Sequence, residues 1–250
     1  MKYHDVLVSI IMPTYNSSKT IECSIQSILS QTHKCWELII TDDCSSDNTL
    51  EIVRKYADCD SRISYFCNEV NSGAGFSRNR SIDAAKGKYI AFLDADDLWF
   101  DNKLQQQIFF MEENGYLFSF SSYQKFSSEG DGGVVVAPAS VTYHQLLYSN
   151  VIGCLTAIYN AEVLGKQKMP LIRKRQDMGL WLSLLKVCGT AYSLPDVLAK
   201  YRIDSGMTQN KMSAAKYQWE FYRKVVSLGV IKSCWYFTWY SINGFLKSRV

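Results

Sequence analysis

The 250 residues carry 27 Lys and Arg against 24 Asp and Glu, a formal net charge of +3, which is too small an excess to indicate a nucleic-acid-binding surface. Apolar residues make up 47%, enough for the core of one large domain, or of a domain with a C-terminal appendage; no stretch reaches the roughly 18 apolar residues of a spanning helix. The N-terminus, MKYHDVLVSIIMPTYN, has an acid before its apolar run and no small-residue cleavage site, and the eight cysteines form no CxxC pair, which predicts buried free thiols in a reducing compartment.

In chain order, VLVSIIM (6–12) is a continuous β-branched run and predicts a buried strand that Pro13 ends. The spacing of Ile21, Ile25, Ile28 and Leu29 predicts a helix over 19–31. WELIIT (36–41) predicts a second buried strand, and Asp47 is placed to cap a helix over 48–57. RISYFC (62–67) predicts a third strand, and 75–87 a helix closed by Gly87. KYIAFLD (88–94) predicts a fourth strand and 101–114 a helix. Beyond these the pattern is less regular. YLFSFSSYQKF (116–126) and GCLTAIYN (153–160) predict strands, SSEGDGG (127–133) a turn or mobile loop, 177–188 a helix, and 191–203 a short strand pair.

Strand–helix alternation of this kind implies an α/β fold, a mostly parallel sheet with helices on both faces, which binds ligands outside the C-terminal ends of its strands. Three polar clusters fall there: Pro13-Thr14-Tyr15-Asn16, Asp42-Asp43-Cys44-Ser45-Ser46 and Asp94-Ala95-Asp96-Asp97. Closely spaced carboxylates suit a hard divalent cation, Mg2+ or Mn2+, that keeps bonds to phosphate oxygens; a lone DxD reads more readily as a solvated loop, and it is the apolar strand before it and the two matching clusters that favour the metal. Asp42 and Asp43 offer an acceptor for a pyrimidine N3–H or merely an Asx-turn beside the helix that Asp47 caps. Tyr15 offers a ring for the same base, or plain turn chemistry. Arg78 and Arg80 lie early in a helix, where guanidinium suits diphosphate; two residues apart, only one faces a ligand. Asp177 opens an amphipathic helix after the basic run RKR, either as an N-cap or as a general base.

In order and with ordinary spacing, VSIIMPTYN, QSILSQTHKCWELIITDDCSSDNT, GAGFSRNRSIDAAKGKYIAFLDADD and RQDMGLWLSLL together resemble the blocks of the family 2 inverting glycosyltransferases, over roughly residues 6–205. The resemblance implies a GT-A, Rossmann-like fold, a UDP-sugar donor and a divalent metal. It implies a donor-binding half (1–115) and an acceptor-binding half (116–210) of a catalytic domain spanning 1–210, with residues 211–250 as a C-terminal helical segment. By the same carry-over Pro13, Thr14, Tyr15, Asp42, Asp43, Arg78, Asp94, Ala95 and Asp96 line the donor. Thr14 and Tyr15 form the uracil pocket, Asp43 bonds the base ahead of Asp42, Asp94 touches ribose or sugar, Asp96 holds the metal and Asp177 is the catalytic base. One in-line displacement then turns an α-linked donor into a β-linked product. Two positions depart from the family pattern: Gln176 stands where many relatives have Glu, and Asp204, after YR (201–202), where many have His, so that Asp204 is either an oxygen ligand or a loop cap. A non-catalytic nucleotide-sugar sensor is the alternative reading. A haloacid-dehalogenase-like phosphatase fits poorly, because its DxD follows the first strand.

The tail (216–250) mixes Trp, Tyr and Phe with Lys and Arg, a composition that suits a membrane interface or a helix pair packed on the domain. With an interfacial tail, the expected acceptor is a lipid-linked (polyprenyl diphosphate) sugar in surface polysaccharide synthesis. The expected place of work is the cytoplasmic face of the inner membrane, held peripherally, with no nucleic-acid partner.

Overall fold

A computed structural model of the chain describes residues 3–204 and 211–247. Its elements, in order, are β1 (Val8–Thr14), α1 (Ile21–Leu29), β2 (Trp36–Asp42), α2 (Thr49–Cys59), β3 (Ile63–Cys67), α3 (Ala74–Ala84), β4 (Tyr89–Phe92), β5 (Leu98–Trp99), α4 (Lys103–Asn114), β6 (Phe118–Ser127), β7 (Gly130–Val135), β8 (Ser140–Thr142), α5 (Tyr143–Tyr148), β9 (Ile158–Asn160), α6 (Ala161–Leu164), α7 (Gln176–Cys188), β10 (Thr190–Arg202), α8 (Lys211–Glu220) and α9 (Val230–Lys247). One sheet runs β3-β2-β1-β4-β9-β6-β10-β5, with β7 hydrogen-bonded to β6 and β8 to β10. The first four strands are parallel. β9 enters antiparallel between β4 and β6, which leaves β6 and its parallel neighbour β10 running the same way as β4.

Side chains alternate faces along a strand, and two cores result. On one face Val8, Ile10 and Met12 of β1 meet Ile21, Ile25 and Ile28 of α1, Val53 of α2 and Leu104 and Ile108 of α4. On the other, Ile11 of β1 and Ile90 and Phe92 of β4 meet Ile82 of α3 and Leu180, Trp181 and Leu184 of α7. Phe221, Tyr222 and Tyr236 join this second core, so the C-terminal helices pack on the sheet domain; a π-helical turn, Phe221–Val225, carries the first two.

Several elements differ from expectation, each for a local reason. The helix 75–87 ends at Ala84 with Ala85 as its cap, not at Gly87. Gly87 is needed elsewhere: a Cβ there would lie 2.6 Å from the Ser9 backbone nitrogen and 2.8 Å from the Leu7 carbonyl, because this turn is laced onto β1 by the Ser9 hydroxyl, which accepts the Lys86 and Gly87 N–H groups. The expected loop at 127–133 is mostly strand, since β6 and β7 form a tight hairpin with Ser127 opposite Gly130. The expected strand pair at 191–203 is the single strand β10, whose register slips between Leu194 and Val197; Pro195 has no N–H to give the ladder, so the strand bulges there and continues. Only the end of 153–160 is strand, and Cys154–Thr156 is a 3-10 turn. The cysteines are free, as expected, but not buried. Cys23, Cys44, Cys59, Cys67 and Cys234 are exposed and Cys35, Cys154 and Cys188 half-buried, because residues such as Cys23 on α1 fall on the outward side of otherwise well-packed elements.

Candidate active site

Parallel pairing of β1 with β2 and with β4 brings Thr14, Asp42 and the residues after Phe92 to one edge of the sheet, where all three polar clusters lie. Thr14 is buried and its hydroxyl has no hydrogen-bond partner among the described residues, an unmet polar group at the end of the strand. Tyr15, beside it, is 50% exposed. Asn16 turns the chain in the left-handed region (φ 48°); its amide N–H donates to Ser45 Oγ and its side-chain carbonyl accepts the Ser46 N–H, which locks the first cluster to the second.

Asp42 and Asp43, adjacent and both buried, do different work. Asp43 accepts the Ser72 N–H (2.9 Å), the Gly73 N–H (2.7 Å) and the Asn68 amide (2.8 Å), so its carboxylate is committed to the loop that leads into α3. Among the described residues Asp42 accepts only from Ser45, through its N–H (3.0 Å) and hydroxyl (2.5 Å). Asp47 accepts the N–H groups of Ser18 and Thr49 and the Thr49 hydroxyl. Burial acts to raise its pKa, but the bonds from Thr49 and Ser18 outweigh it and bring it down to about 2. It thereby joins the loop after β1 to the first turn of α2, whose capping residue is Asn48.

The acid turn follows β4. Ala95 is buried, and the Asp97 N–H donates to the Asp94 carbonyl. Arg78, buried on α3, reaches Asp94 Oδ1 at 2.5 Å and Gln176 Oε1 at 3.2 Å, while its Nε has no partner among the described residues. Burial opposes its charge, but Asp94 more than restores it, and the guanidinium stays firmly protonated. Arg80 turns away to the Cys67 carbonyl and Asn68, as the two-residue spacing requires. Asp97 is buried and its carboxylate accepts the Arg202 N–H at 2.9 Å; burial, with Asp94 and Asp96 nearby, pushes its pKa well above the ordinary carboxylate value. Arg202 also donates from Nε to the Asp96 carbonyl, so β10 clamps the acid turn. Asp204 accepts the Ser128 N–H at 2.7 Å and lies 3.5 Å from Arg202, the contacts of a loop cap.

Asp177 sits in the first turn of α7 but does not cap it; Arg175, held at φ 69°, occupies that position. The Asp177 carboxylate accepts the Asn150 amide at 3.1 Å. Burial raises the pKa of the Cys154 thiol, which also feels Arg78, Asp94, Asp177 and Asp97, so this sulfur lies among the acid turn, the arginine and Asp177. The turn that carries Cys154 hangs from the segment after the acids: Trp99 Nε1 donates to the Leu155 carbonyl at 2.7 Å and Gln107 Nε2 to the Thr156 carbonyl at 2.9 Å. Asn150, Cys154 and Arg202 were not singled out from sequence; of the three, only Arg202, in the YR pair, had a signal to follow.

Chemically, this edge offers a half-exposed ring and an unmet hydroxyl next to a buried carboxylate, then a cation–carboxylate pair, then a second carboxylate at a helix start. Among the described residues no three His, Cys, Asp or Glu side chains converge as a metal cage. The acid turn nevertheless has the oxygen-only chemistry of a Mg2+ or Mn2+ site completed by phosphate oxygens rather than by further protein ligands.

The profile described as Glycosyl transferase family 2 matches residues 9–152. TuaG of Bacillus subtilis (strain 168), named for teichuronic acid biosynthesis, is 43% identical over 96% of this chain and 97% of its own length. WfgD of Escherichia coli, named a UDP-Glc:alpha-D-GlcNAc-diphosphoundecaprenol beta-1,3-glucosyltransferase, is 42% identical over 86% of this chain and 85% of its own. Among solved structures, S. aureus TarS 1-349 in complex with UDP-GlcNAc superposes with a TM-score of 0.72 at 22% identity, covering 90% of this chain and 69% of that one. The mannosyltransferase PcManGT from Pyrobaculum calidifontis, in complex with GDP-Man and Mn2+, gives 0.68 at 16%, covering 94% and 73%. At these identities the structural likeness establishes the fold, which is the expected GT-A type.

Proposed function

The chain belongs to glycosyltransferase family 2, and on that premise we propose that it is an inverting hexosyltransferase that moves a hexose from a UDP-sugar to a hydroxyl of a lipid-linked (polyprenyl diphosphate) sugar, giving a β-linkage in surface polysaccharide synthesis. The observation that carries this is Arg78, which bonds at once to Asp94 of the acid turn and to Gln176, the residue before Asp177. A donor held at the acid turn and a base on α7 are thereby parts of one rigid arrangement. The names of WfgD and WfaP, relatives at 42% and 37% identity, specify UDP-glucose and a GlcNAc-diphosphoundecaprenol acceptor, so glucose is the first donor to try, ahead of galactose and the N-acetylhexosamines.

Residues 1–115 form the donor half and 116–210 the acceptor half. Tyr15 stacks on the uracil, and Pro13 and Thr14 close the pocket. Of the two acids, Asp42 has the acceptor capacity left for the base N3–H, whereas Asp43 holds the loop. Arg78 keeps Asp94 in place beside the ribose or sugar. Asp96 would hold Mg2+ or Mn2+, which supplies positive charge against the departing diphosphate. The acceptor oxygen attacks the anomeric carbon while its proton passes to the Asp177 carboxylate, and the bond from that carbon to the diphosphate oxygen breaks with its electron pair leaving on UDP. Asn150 orients the carboxylate for this transfer. A lipid-linked acceptor places the chain peripherally on the cytoplasmic face of a membrane; among the described residues no helix is long and apolar enough to cross one.

The test is Asp177→Asn, an isosteric change at an exchangeable polar contact. UDP binding by calorimetry stays within about twofold, and transfer to a GlcNAc-diphosphate-lipid falls about 10³-fold. Retained transfer removes Asp177 from the chemistry, and lost UDP binding makes it structural.

A further inference from the structure

We propose that α9 is a membrane-docking helix whose outward face, Ile231, Trp235, Trp239 and Ile242, sits in the interface of an anionic lipid bilayer and holds the catalytic edge against it. This deepens the reading above and rests on it for the acceptor, though not for the surface itself.

The four residues recur at i, i+4, i+8 and i+11, one stripe of a helix. All are exposed, Ile231 at 86% and Trp235 at 57%. The two indoles lie 6.0 Å apart, and Trp235 Nε1 donates to the Tyr148 hydroxyl, so these rings are positioned rather than free to collapse onto the domain. The opposite face packs on the domain. Tyr236 bonds His144, the Asn243 amide donates to the Tyr148 carbonyl, and Ser233 is buried. The helix therefore has its tertiary contacts already, and apart from the Trp235–Tyr148 bond the Trp–Ile stripe adds nothing to them.

Charge selects the occupant. Residues 221–250 contain five Lys and Arg and no Asp or Glu, and Lys232 borders the stripe, exposed. A cationic flank beside paired tryptophans matches the headgroup region of an acidic bilayer, whereas a second copy of this chain would meet the same positive charge. An apolar groove of about 450 Å³ between α5 and α9, lined by Leu147, Leu228, Ile231 and Trp235 with Lys232 at its side, opens along the same stripe. The packed side of the C-terminal helices touches the start of α7. The Arg175 guanidinium, at the cap of α7, stacks over the Tyr240 ring at 5.3 Å, and Lys174 over Tyr217 at 5.3 Å. Burial raises the Tyr240 phenol, which also feels Arg175 and Asp177. The helix that meets lipid thus rests directly on the start of the helix that carries the base.

The experiment is co-sedimentation of the full chain with vesicles of phosphatidylcholine alone or mixed with phosphatidylglycerol. Wild type binds the mixed vesicles and releases with salt. Trp235→Ser/Trp239→Ser lowers the partition coefficient about tenfold or more, and Lys232→Glu weakens binding at low salt only. Transfer to a short-chain, water-soluble acceptor stays unchanged in both variants, while transfer to a long-chain acceptor in vesicles falls. Failure of wild type to bind anionic vesicles overturns the proposal, as does equal binding by the double variant. Loss of a concentration-dependent dimer in the double variant, without vesicle binding, assigns the face to self-association instead. If wild type glycosylates neither acceptor, the proposed reaction fails while the vesicle result still decides the docking face.

Discussion

Replacing Lys103 by methionine isolates a charge that the fold encloses at a measurable cost. Lys103 is fully buried at the start of α4; its Nζ donates to Gln107 Oε1 at 2.9 Å and lies 4.3 Å from the centre of the Trp99 ring. Burial brings its pKa down from 10.5 to about 7. In the unfolded chain the ammonium keeps its ordinary value, so between pH 7 and 10.5 the unfolded state holds a proton that the folded state lacks, and stability rises with pH through that window. Below pH 7 both states are protonated and the folded state carries the whole penalty, 3.5 pK units or about 5 kcal/mol at 1.36 kcal/mol per unit. Lys103→Met keeps the volume and removes the charge. Its orphaned Gln107 carbonyl costs about 1–3 kcal/mol at every pH, which changes the offset and not the slope. Urea unfolding of both proteins from pH 6.5 to 9.5 reads the difference: wild type gains about 3 kcal/mol on the variant across that range. A gap that stays constant with pH refutes the reasoning, because the lysine would then be neutral, or charged, throughout.

Three further outcomes follow from the geometry. Gly87→Ala forces a Cβ against the backbone of Leu7 and Ser9 and lowers stability by about 2–3 kcal/mol, measured by chemical denaturation. Asp43→Ala strands the Ser72 and Gly73 N–H groups and costs about 2–4 kcal/mol, whereas Asp42→Asn leaves the melting temperature nearly unchanged and weakens UDP binding about tenfold by calorimetry; the reverse pattern exchanges the two roles. Arg78→Met, close in volume, retains the fold by circular dichroism and lowers kcat/KM about 10²-fold or more, because Asp94 and Gln176 lose the group that ties them.

The buried strands were readable because strands covered on both faces are apolar throughout; VLVSIIM and KYIAFLD have no polar face to confuse with a helix. Their parallel order then determined where the polar clusters had to gather. Short edge pieces were not readable. Leu98–Trp99 is a strand only because β10 pairs with it, and nothing in two residues announces a partner a hundred positions away. A strand pair was expected over 191–203, but in a strand with neighbours on both sides a bulge at Pro195 is enough to absorb one missing N–H. Asp42 and Asp43 are identical as letters; only the position of the 68–73 loop tells them apart. The Asn150–Asp177 bond joins two stretches whose local patterns are unrelated, and Cys154 owes its place to carbonyl contacts from Trp99 and Gln107 as well as to the bonds that close its own turn.

Those two side chains also bear on how such enzymes can be recombined. Trp99 and Gln107 lie before residue 115, yet they grip the backbone of the turn that carries Cys154, some fifty residues further on. A chimera joined near residue 115 would bring in a foreign turn and leave both gripping residues behind. Because they bind carbonyl oxygens, which every sequence has, these two bonds ask only that the incoming backbone follow the same path. The side chains at 155 and 156 are buried and must in addition fit the core they enter, so a graft succeeds to the extent that both the shape of that turn and the volume of those two residues are shared.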